Sequence, residues 1–468
     1  MSKMRIRSEW WTVSLILFTV LASVEAGVAG QTFRVSVDSS GNQFNDYSRG
    51  PSISADGRYV AFQMGIYERM MQIAVSTTGI NVFVHDRQTR QTKMVSVDSS
   101  GNAGNNYSYD PSISADGQYV AFASSASNLV VGDSGNFDIY VRNLQTAQTT
   151  RVSVNSSGQK VIGSSGSPSI SGDGRYVAFD SYSAELVSGD TNRTQDVFVH
   201  DRQTGQTTRV SVDSSGQQAD AKSYAPSISR DGRYVAFASD ASNLVVGDTN
   251  GKTDVFVHDQ QTHRTTRVSV SSSGVQSNER SVDASISANG RYVAFTSWGN
   301  RFISSGDTNG QCDVFIHDRA NSLTYRGSVN SYRQEAKNGP SYGPSVSDDG
   351  RYVAFLSGAT NLLVDSGDTN GKVDVFVRDM QTSQTTRVSV NSSGQQANGP
   401  SNSLSMSPDG RYVAFDSPAS NLQVSGDTNG KDDVFVHDRL LPFTRIPTGA
   451  ILPKPVPIPY QQLPVIKP

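Results

Sequence analysis

The stretch SADGRYVAF occupies Ser54–Phe62, and close copies of it return six more times along the chain. The copies are located by their glycines: Gly57, Gly117, Gly174, Gly232, Gly290, Gly350 and Gly410, at spacings of 60, 57, 58, 58, 60 and 60 residues. A fixed period of this size marks a repeat architecture in which each unit buries its faces against its neighbours. Two copies deviate, with Gln118 for arginine and Asn289 for aspartate.

Working outward from the fourth copy gives the content of one unit. Thr207–Val212 (TTRVSV) alternates polar and apolar residues, the period of a strand. Turn residues then run to Pro226, and Ser227–Ser229 (SIS) forms a short second strand ahead of a tight Asp-Gly turn. Arg233–Ser239 (RYVAFAS) is rich in β-branched and aromatic residues, a third strand. A longer loop containing GDTNG leads to the fourth, Asp254–Asp259 (DVFVHD), and a turn opens the next TTRVSV. In chain order these are strands d, a, b and c. Close connection makes them antiparallel, so the a–b and c–d turns share one face and the d–a and b–c loops the other.

Four-stranded units repeated radially are the blades of a β-propeller. The expected fold is therefore all-β: a seven-bladed propeller of four-stranded antiparallel blades. A linear β-solenoid competes, but its rungs are shorter than 58 residues. Side-chain size agrees with a radial arrangement. Strand a carries serines at alternate positions, from Ser52 and Ser54 to Ser405 and Ser407, whereas b and c carry Tyr59, Val60, Phe62, Val255 and Phe256. Closure follows from counting. Strand d occurs first at Thr32–Val37, before any strand a, and blade seven is followed only by a proline-interrupted LPFTRIP. The N-terminal copy is expected to complete the blade containing Ser405–Asp438, removing an unpaired edge; Phe443–Ile446 filling that edge is the competing closure.

SPDGRYVAF (Ser407–Phe415) followed by DVFVHDR resembles the WD-repeat pattern and, more closely, the TolB-like propeller repeats of bacteria. The resemblance covers about Gln31–Ile446. It implies an exported propeller, with departures: His-Asp replaces the WD dipeptide, as at His200-Asp201 and His437-Asp438, TolB propellers have six blades, and their additional N-terminal domain has no counterpart here.

The rest of the chain bounds function. Apolar residues are 35%, charged residues 18% and formal net charge −3, so neither nucleic acid nor an anionic membrane is favoured as partner. Lys3, Arg5 and Arg7 precede an apolar run and a Val24-x-Ala26 pattern, which reads as a signal peptide over residues 1–26. The run is short for a membrane span, and the expected location is secreted or periplasmic. The propeller is expected over 32–446, followed by a proline-rich tail at 447–468. Cys312 is the sole cysteine, so no internal disulfide forms.

Candidate chemistry lies in the loops. Five histidines, His85, His200, His258, His317 and His437, end strand c one per blade and are expected to bond within their own blades rather than share a metal. The GDTNG loops place Asp248, Asn250 and Asp254 at a spacing similar to calcium loops. Counterparts are Asp307, Asn309, Asp313; Asp368, Asn370, Asp374; Asp427, Asn429, Asp433; and, lacking the glycine, Asp190, Asn192, Asp196. Calcium takes about 6–8 oxygens, yet the fifth loop position is Lys252, Lys372 or Lys431. The alternative is an Asx-turn that orients strand c. Off-consensus Glu68, Glu185, Glu279 and Glu335, Trp298 and the irregular Gln63–Val75 segment mark breaks in the repeat. The expected function is a protein- or glycan-binding module of the envelope or exterior, acting through the d–a/b–c loop face. The alternative is a secreted hydrolase or lyase with acids converging on that face. Tyr47, Tyr109, Tyr224 and Tyr342 forming a flat rim would favour binding.

Overall fold

Period-two strands separated by turns have to find partners. In the computed structural model of the chain, which describes residues 30–66, 79–133, 135–303, 306–364, 367–423 and 426–440, they form seven four-stranded antiparallel sheets. The leader, the LPFTR stretch, the tail and Glu68 lie outside the described residues. Blade 1 comprises Ser48–Ile53, Tyr59–Ile66, Gly79–Asp86 and Gln91–Met94 as strands a to d. Blade 4, with Ser223–Ile228, Tyr234–Ser239, Asp254–Asp259 and Arg264–Arg267, shows the standard pattern. Blade 7 takes its a, b and c strands from Leu404–Met406, Tyr412–Ser417 and Asp433–Asp438, and its outer strand is Gln31–Arg34. Gln31 pairs with Asp438 and Arg34 with Phe435, so the N-terminal strand closes the ring as its surplus copy requires.

Two strand boundaries differ from the sequence reading. Strand d of blade 3 is Gln206–Arg209, not Thr207–Val212. Beyond Arg209, the amides of both Val210 and Ser211 point to the Val197 carbonyl, and two residues opposing one end the ladder. Val212 then pairs with Gln218 in a small separate hairpin. Strand a of blade 4 begins at Ser223 rather than Ser227. Ala225, at φ 51°, precedes Pro226 at a bulge between Tyr224 and Ser227, so the proline sits within the strand without breaking it.

Three sets of contacts tie each blade to the next, and each runs all the way round. On the inner strands, a serine Oγ accepts the backbone N–H of the following blade, from Ser52 and Ile113 at 3.0 Å to Ser405 and Ile53 at 3.4 Å. The small serine allows the strands to converge there, and its hydroxyl satisfies an amide on the neighbouring edge. Toward the outside, a hairpin serine accepts the amide of the next strand d, as Ser214 does from Thr265 at 3.1 Å. Ser392 does so from Thr32 at 3.1 Å, across the closure. Between them, the glycine of each SADG turn lies at positive φ against a tyrosine ring of the preceding blade, Gly232 on Tyr176 and Gly57 on Tyr412. A Cβ on any of these seven glycines would overlap that ring.

Fully buried aromatics form the core, with one stacked pair from strands b and c per blade: Phe62–Phe83 at 6.1 Å, Phe237–Phe256 at 6.0 Å, Phe122–Tyr140 at 5.8 Å. Burying each such side chain is worth roughly 1.5–3 kcal/mol, the main return on ordering the ring. The histidines do bond within their blades. His258 Nδ1 meets Thr265 Oγ1 at 2.9 Å, and His437 meets Thr32 of the closing strand at 2.8 Å. Burial pushes all five imidazoles down to about 4, so they are neutral at ordinary pH.

Candidate binding face

The d–a and b–c loops meet on one side of the ring. The Asn243 amide donates to the Gln218 carbonyl at 2.9 Å, and Asn361 and Asn421 make the same bond in blades 6 and 7. The GDTNG loops lie on this face. In each, the asparagine forms an Asx-turn: Asn250 Oδ1 accepts from Lys252 N at 2.9 Å, while its amide donates to Asp254 at 2.7 Å and to the Ser277 carbonyl at 3.1 Å. Asn192, Asn309, Asn370 and Asn429 make the corresponding turn.

The carboxylates of these loops face an arginine of strand d, a residue not singled out from the sequence. Arg267 lies 3.1 Å from Asp248 and 3.3 Å from Asp254, whose side chains are 3% and 0% exposed. Arg209 approaches Asp190 and Asp196, Arg326 approaches Asp307 and Asp313, Arg387 approaches Asp368 and Asp374, and Arg34 lies 3.1 Å from Asp433. Arg151, helped by Lys160, does the same for Asp133 and Asp138. Blade 1 is the exception that identifies the pairing, because Asn81 replaces the aspartate and Met94 the arginine, and Ser96 still bonds position 81 at 2.8 Å. Charge is lost on both sides or on neither. Blade 2 shows the same rule elsewhere. The Arg58–Asp86 fork (2.9 and 2.7 Å) recurs in five other blades, and where Gln118 replaces the arginine, Asn143 replaces the aspartate.

Among the described residues, one carboxylate trio falls within metal-ligating distance, Asp307, Asp313 and Glu335. Arg326 touches all three, at 3.9, 3.4 and 3.2 Å. Burial and the hydrogen bond to Glu335 push Asp307 up to about 6, while bonds from Asp307, Thr308 and Asn309 hold Glu335 down against its own desolvation. The other glutamates are spread apart: Glu185 accepts from Ile162 N at 3.0 Å, and Glu279 pairs with Lys252 at 3.0 Å.

The rim tyrosines divide. Tyr109, against Phe137 at 5.0 Å, and Tyr342 are half-buried, and Tyr224 stands beside Lys222. Tyr47 is 41% exposed, with Arg49 over its ring at 4.8 Å and Lys431 at 4.4 Å. It borders a cleft of about 360 Å³ shared with Gln63, Gly79, Ile80 and an exposed Tyr107. The cleft lies where strands b and c of blade 1 run to eight residues, against six in the other blades, and the extra length brings Gly65, Gly79 and Ile80 into its lining. Arg49 is anchored by the buried carboxylate of Asp432. On strand b of blade 7, Asp416 is pushed up to about 6 by burial although Ser403, Asn402 and Gly50 all donate to it. Trp298 is capped by Arg280 at 3.9 Å. The Cys312 thiol is buried and thereby pushed up to about 11.

Fold and face together define a seven-bladed β-propeller with a loop-built surface. No family model matches the chain, and no curated protein matches it by sequence. Solved structures do resemble it. An oligogalacturonate lyase from Vibrio parahaemolyticus is 13% identical, with 87% of this chain and 93% of that one covered at a TM-score of 0.50. An acylaminoacyl peptidase from Pyrococcus horikoshii is 9% identical over 84% of this chain and 51% of its own, also at 0.50. TolB from Acinetobacter baumannii is 15% identical over 82% and 81%, at 0.37. At these identities the likeness is one of propeller fold. The WD-repeat resemblance stays an expectation from sequence.

Proposed function

We propose that the chain is an exported binding module that takes a protein or glycan partner on the loop face, with the blade 1 cleft as its centre. The observation that carries this is the break in the repeat. Elsewhere the face is built from similar loops, whereas here a lengthened hairpin stands beside two exposed tyrosines and an arginine held rigid by Asp432. Exposed tyrosine offers large contact area at low entropic cost, a frequent property of recognition surfaces. Export rests on the basic start and apolar run of residues 1–26. Among the described residues no helix is long and apolar enough to cross a membrane. The competing hydrolase or lyase reading needs free acids converging on the face; Glu185 and Glu279 stand apart, bonded to Ile162 and Lys252, and the one converging trio, Asp307, Asp313 and Glu335, is occupied by Arg326.

Affinity capture from an envelope fraction and a glycan array, run with wild-type protein and with Tyr47→Ala/Tyr107→Ala, tests the reading. Ligands captured by wild type should be lost from the double variant and retained by Arg230→Ala, whose side chain pairs with Asp348 at the a–b turns of the opposite face. Loss of capture only in the Arg230 variant would overturn it.

A further inference from the structure

Along the outer strand of blade 4, a groove of about 720 Å³ runs from the c–d turns to the hairpin at Val270–Gly274, against the neighbouring blade 5. Its walls include strand d of blade 4, that hairpin, and the segment following Asp313–Asp318, strand c of blade 5. Three arginines line it: Arg267, already paired with Asp248 and Asp254, and Arg264 and Arg319. The repeat shows why the last two are unusual. The position of Arg264, the first residue of strand d, is Gln91, Gln206, Gln384 and Gln31 in blades 1, 3, 6 and 7 and Leu323 in blade 5. The position of Arg319, just after strand c, pairs across the other interfaces with glutamine or leucine at the strand d position. Only between blades 4 and 5 do two arginines meet.

Their carboxylate partners are also accounted for. Asp259, the acid in the groove, is already held by the Arg233 fork at 2.8 and 2.7 Å. Arg319 lies 4.8 Å over the Tyr234 ring and donates once, to the Gly290 carbonyl at 2.5 Å. Arg264 is exposed and has no carboxylate partner among the described residues. Burial lowers the pKa of Arg319; Tyr234 and Asp259 offset part of this, and Arg233 and Arg264 repel its charge. The groove therefore holds surplus positive charge in partly desolvated surroundings, where an anion gains most. Thr262, Thr266 and Ser322 add hydroxyls along the walls.

We propose that this groove binds an anionic oligosaccharide, with carboxylate or sulfate groups held by Arg264 and Arg319 and sugar hydroxyls met by the threonines and serine. The volume is that of a short oligomer rather than a single ion. Of the two rings lining the groove, Tyr234 has its face covered by Arg319 and His317 is buried against Thr324, which disfavours a stacked nucleobase. This is a second site, independent of the loop-face reading.

The test is calorimetric titration of the intact chain with oligogalacturonate, dextran sulfate oligomers, neutral dextran and inorganic phosphate. Either charged oligomer should bind, with affinity falling steeply as salt rises. Arg264→Gln/Arg319→Gln should weaken binding about tenfold or more. Both replacements are residues that other blades carry at the same positions, as in Gln206 and Gln260, so the fold is expected to persist, and an unchanged melting temperature checks this. Tyr47→Ala/Tyr107→Ala should bind as wild type. The preferred charged oligomer distinguishes carboxylate from sulfate. Equal binding of neutral dextran, binding of phosphate as tight as that of the oligomers, no binding at all, or an unaffected double arginine variant would each overturn the proposal.

Discussion

Replacing Arg267 by methionine should expose how the loop charges are balanced. In blade 4 the guanidinium lies 3.1 and 3.3 Å from two carboxylates that are 3% and 0% exposed, and it also donates to Gln276 Oε1 at 2.9 Å. Removing one member of a buried ion pair costs about 3–5 kcal/mol, because the remaining charge stays desolvated without a counterion. Arg267→Met should lie in that range. Adding Asp254→Asn reproduces the pair that blade 1 already carries, Asn81 with Met94, and should recover about 2 kcal/mol, since Ser269 and Asn250 can still bond position 254. The assay is equilibrium unfolding in guanidinium at pH 7 for wild type, both single variants and the double, read as a coupling energy. A single-variant loss below about 1 kcal/mol, or a double variant no more stable than Arg267→Met, would refute the charge-balance argument.

Deleting residues 31–38 should destabilise the ring severely, because Asp433 loses Arg34 and Ser36, and His437 loses Thr32; a melting temperature equal to that of the full chain would assign closure elsewhere. His258 is neutral in the fold down to about 4 but protonates near 6.5 when unfolded, so its contribution is complete above pH 6.5 and is lost as pH falls toward 4. Asp416 and Asp433, raised to about 6, act in the opposite sense over the same window, so the comparison must be by difference: between pH 7 and 4.5 wild type should lose up to about 3 kcal/mol more stability than His258→Gln, and parallel curves would contradict this. Calcium at the GDTNG loops is tested by melting with millimolar calcium and with chelator. With an arginine already beside each carboxylate pair, no shift is expected, whereas a rise of several degrees would show that the ion adds to these loops.

The seven blades, their closure and the histidine bonds were legible because they depend on periodicity and count. Boundaries of strands a and d were not. Pro226 and its left-handed neighbour read as a turn, although a bulge accommodates both, and the VSV of TTRVSV reads as ladder although Val210 and Ser211 share the Val197 carbonyl and Val212 pairs with Gln218 in a separate hairpin. Arg267 was invisible as a partner of Asp254 because thirteen residues and a turn separate them, and an arginine in an alternating strand reads as solvent-facing. Yet the signal was present in the paired losses at Asn81 with Met94 and Gln118 with Asn143, which appear once blades are compared column by column. The blade 1 cleft and the arginine groove had no sequence signature beyond local departure from the repeat, since each is assembled from neighbouring blades.

The closing strand makes the position of the chain ends interchangeable. Gln31 pairs with Asp438, as Gln206 pairs with Asp201, and within blade 3 that gap is bridged by the four residues Arg202–Gly205. A similar linker would therefore join the ends of the ring, and a cut in any other c–d turn would give a permuted chain with the same contacts. Because the Ser392–Thr32 bond at the seam matches those at the other six interfaces, no blade is structurally first, and the seam is the one joint from which the ring can unzip without breaking a covalent connection.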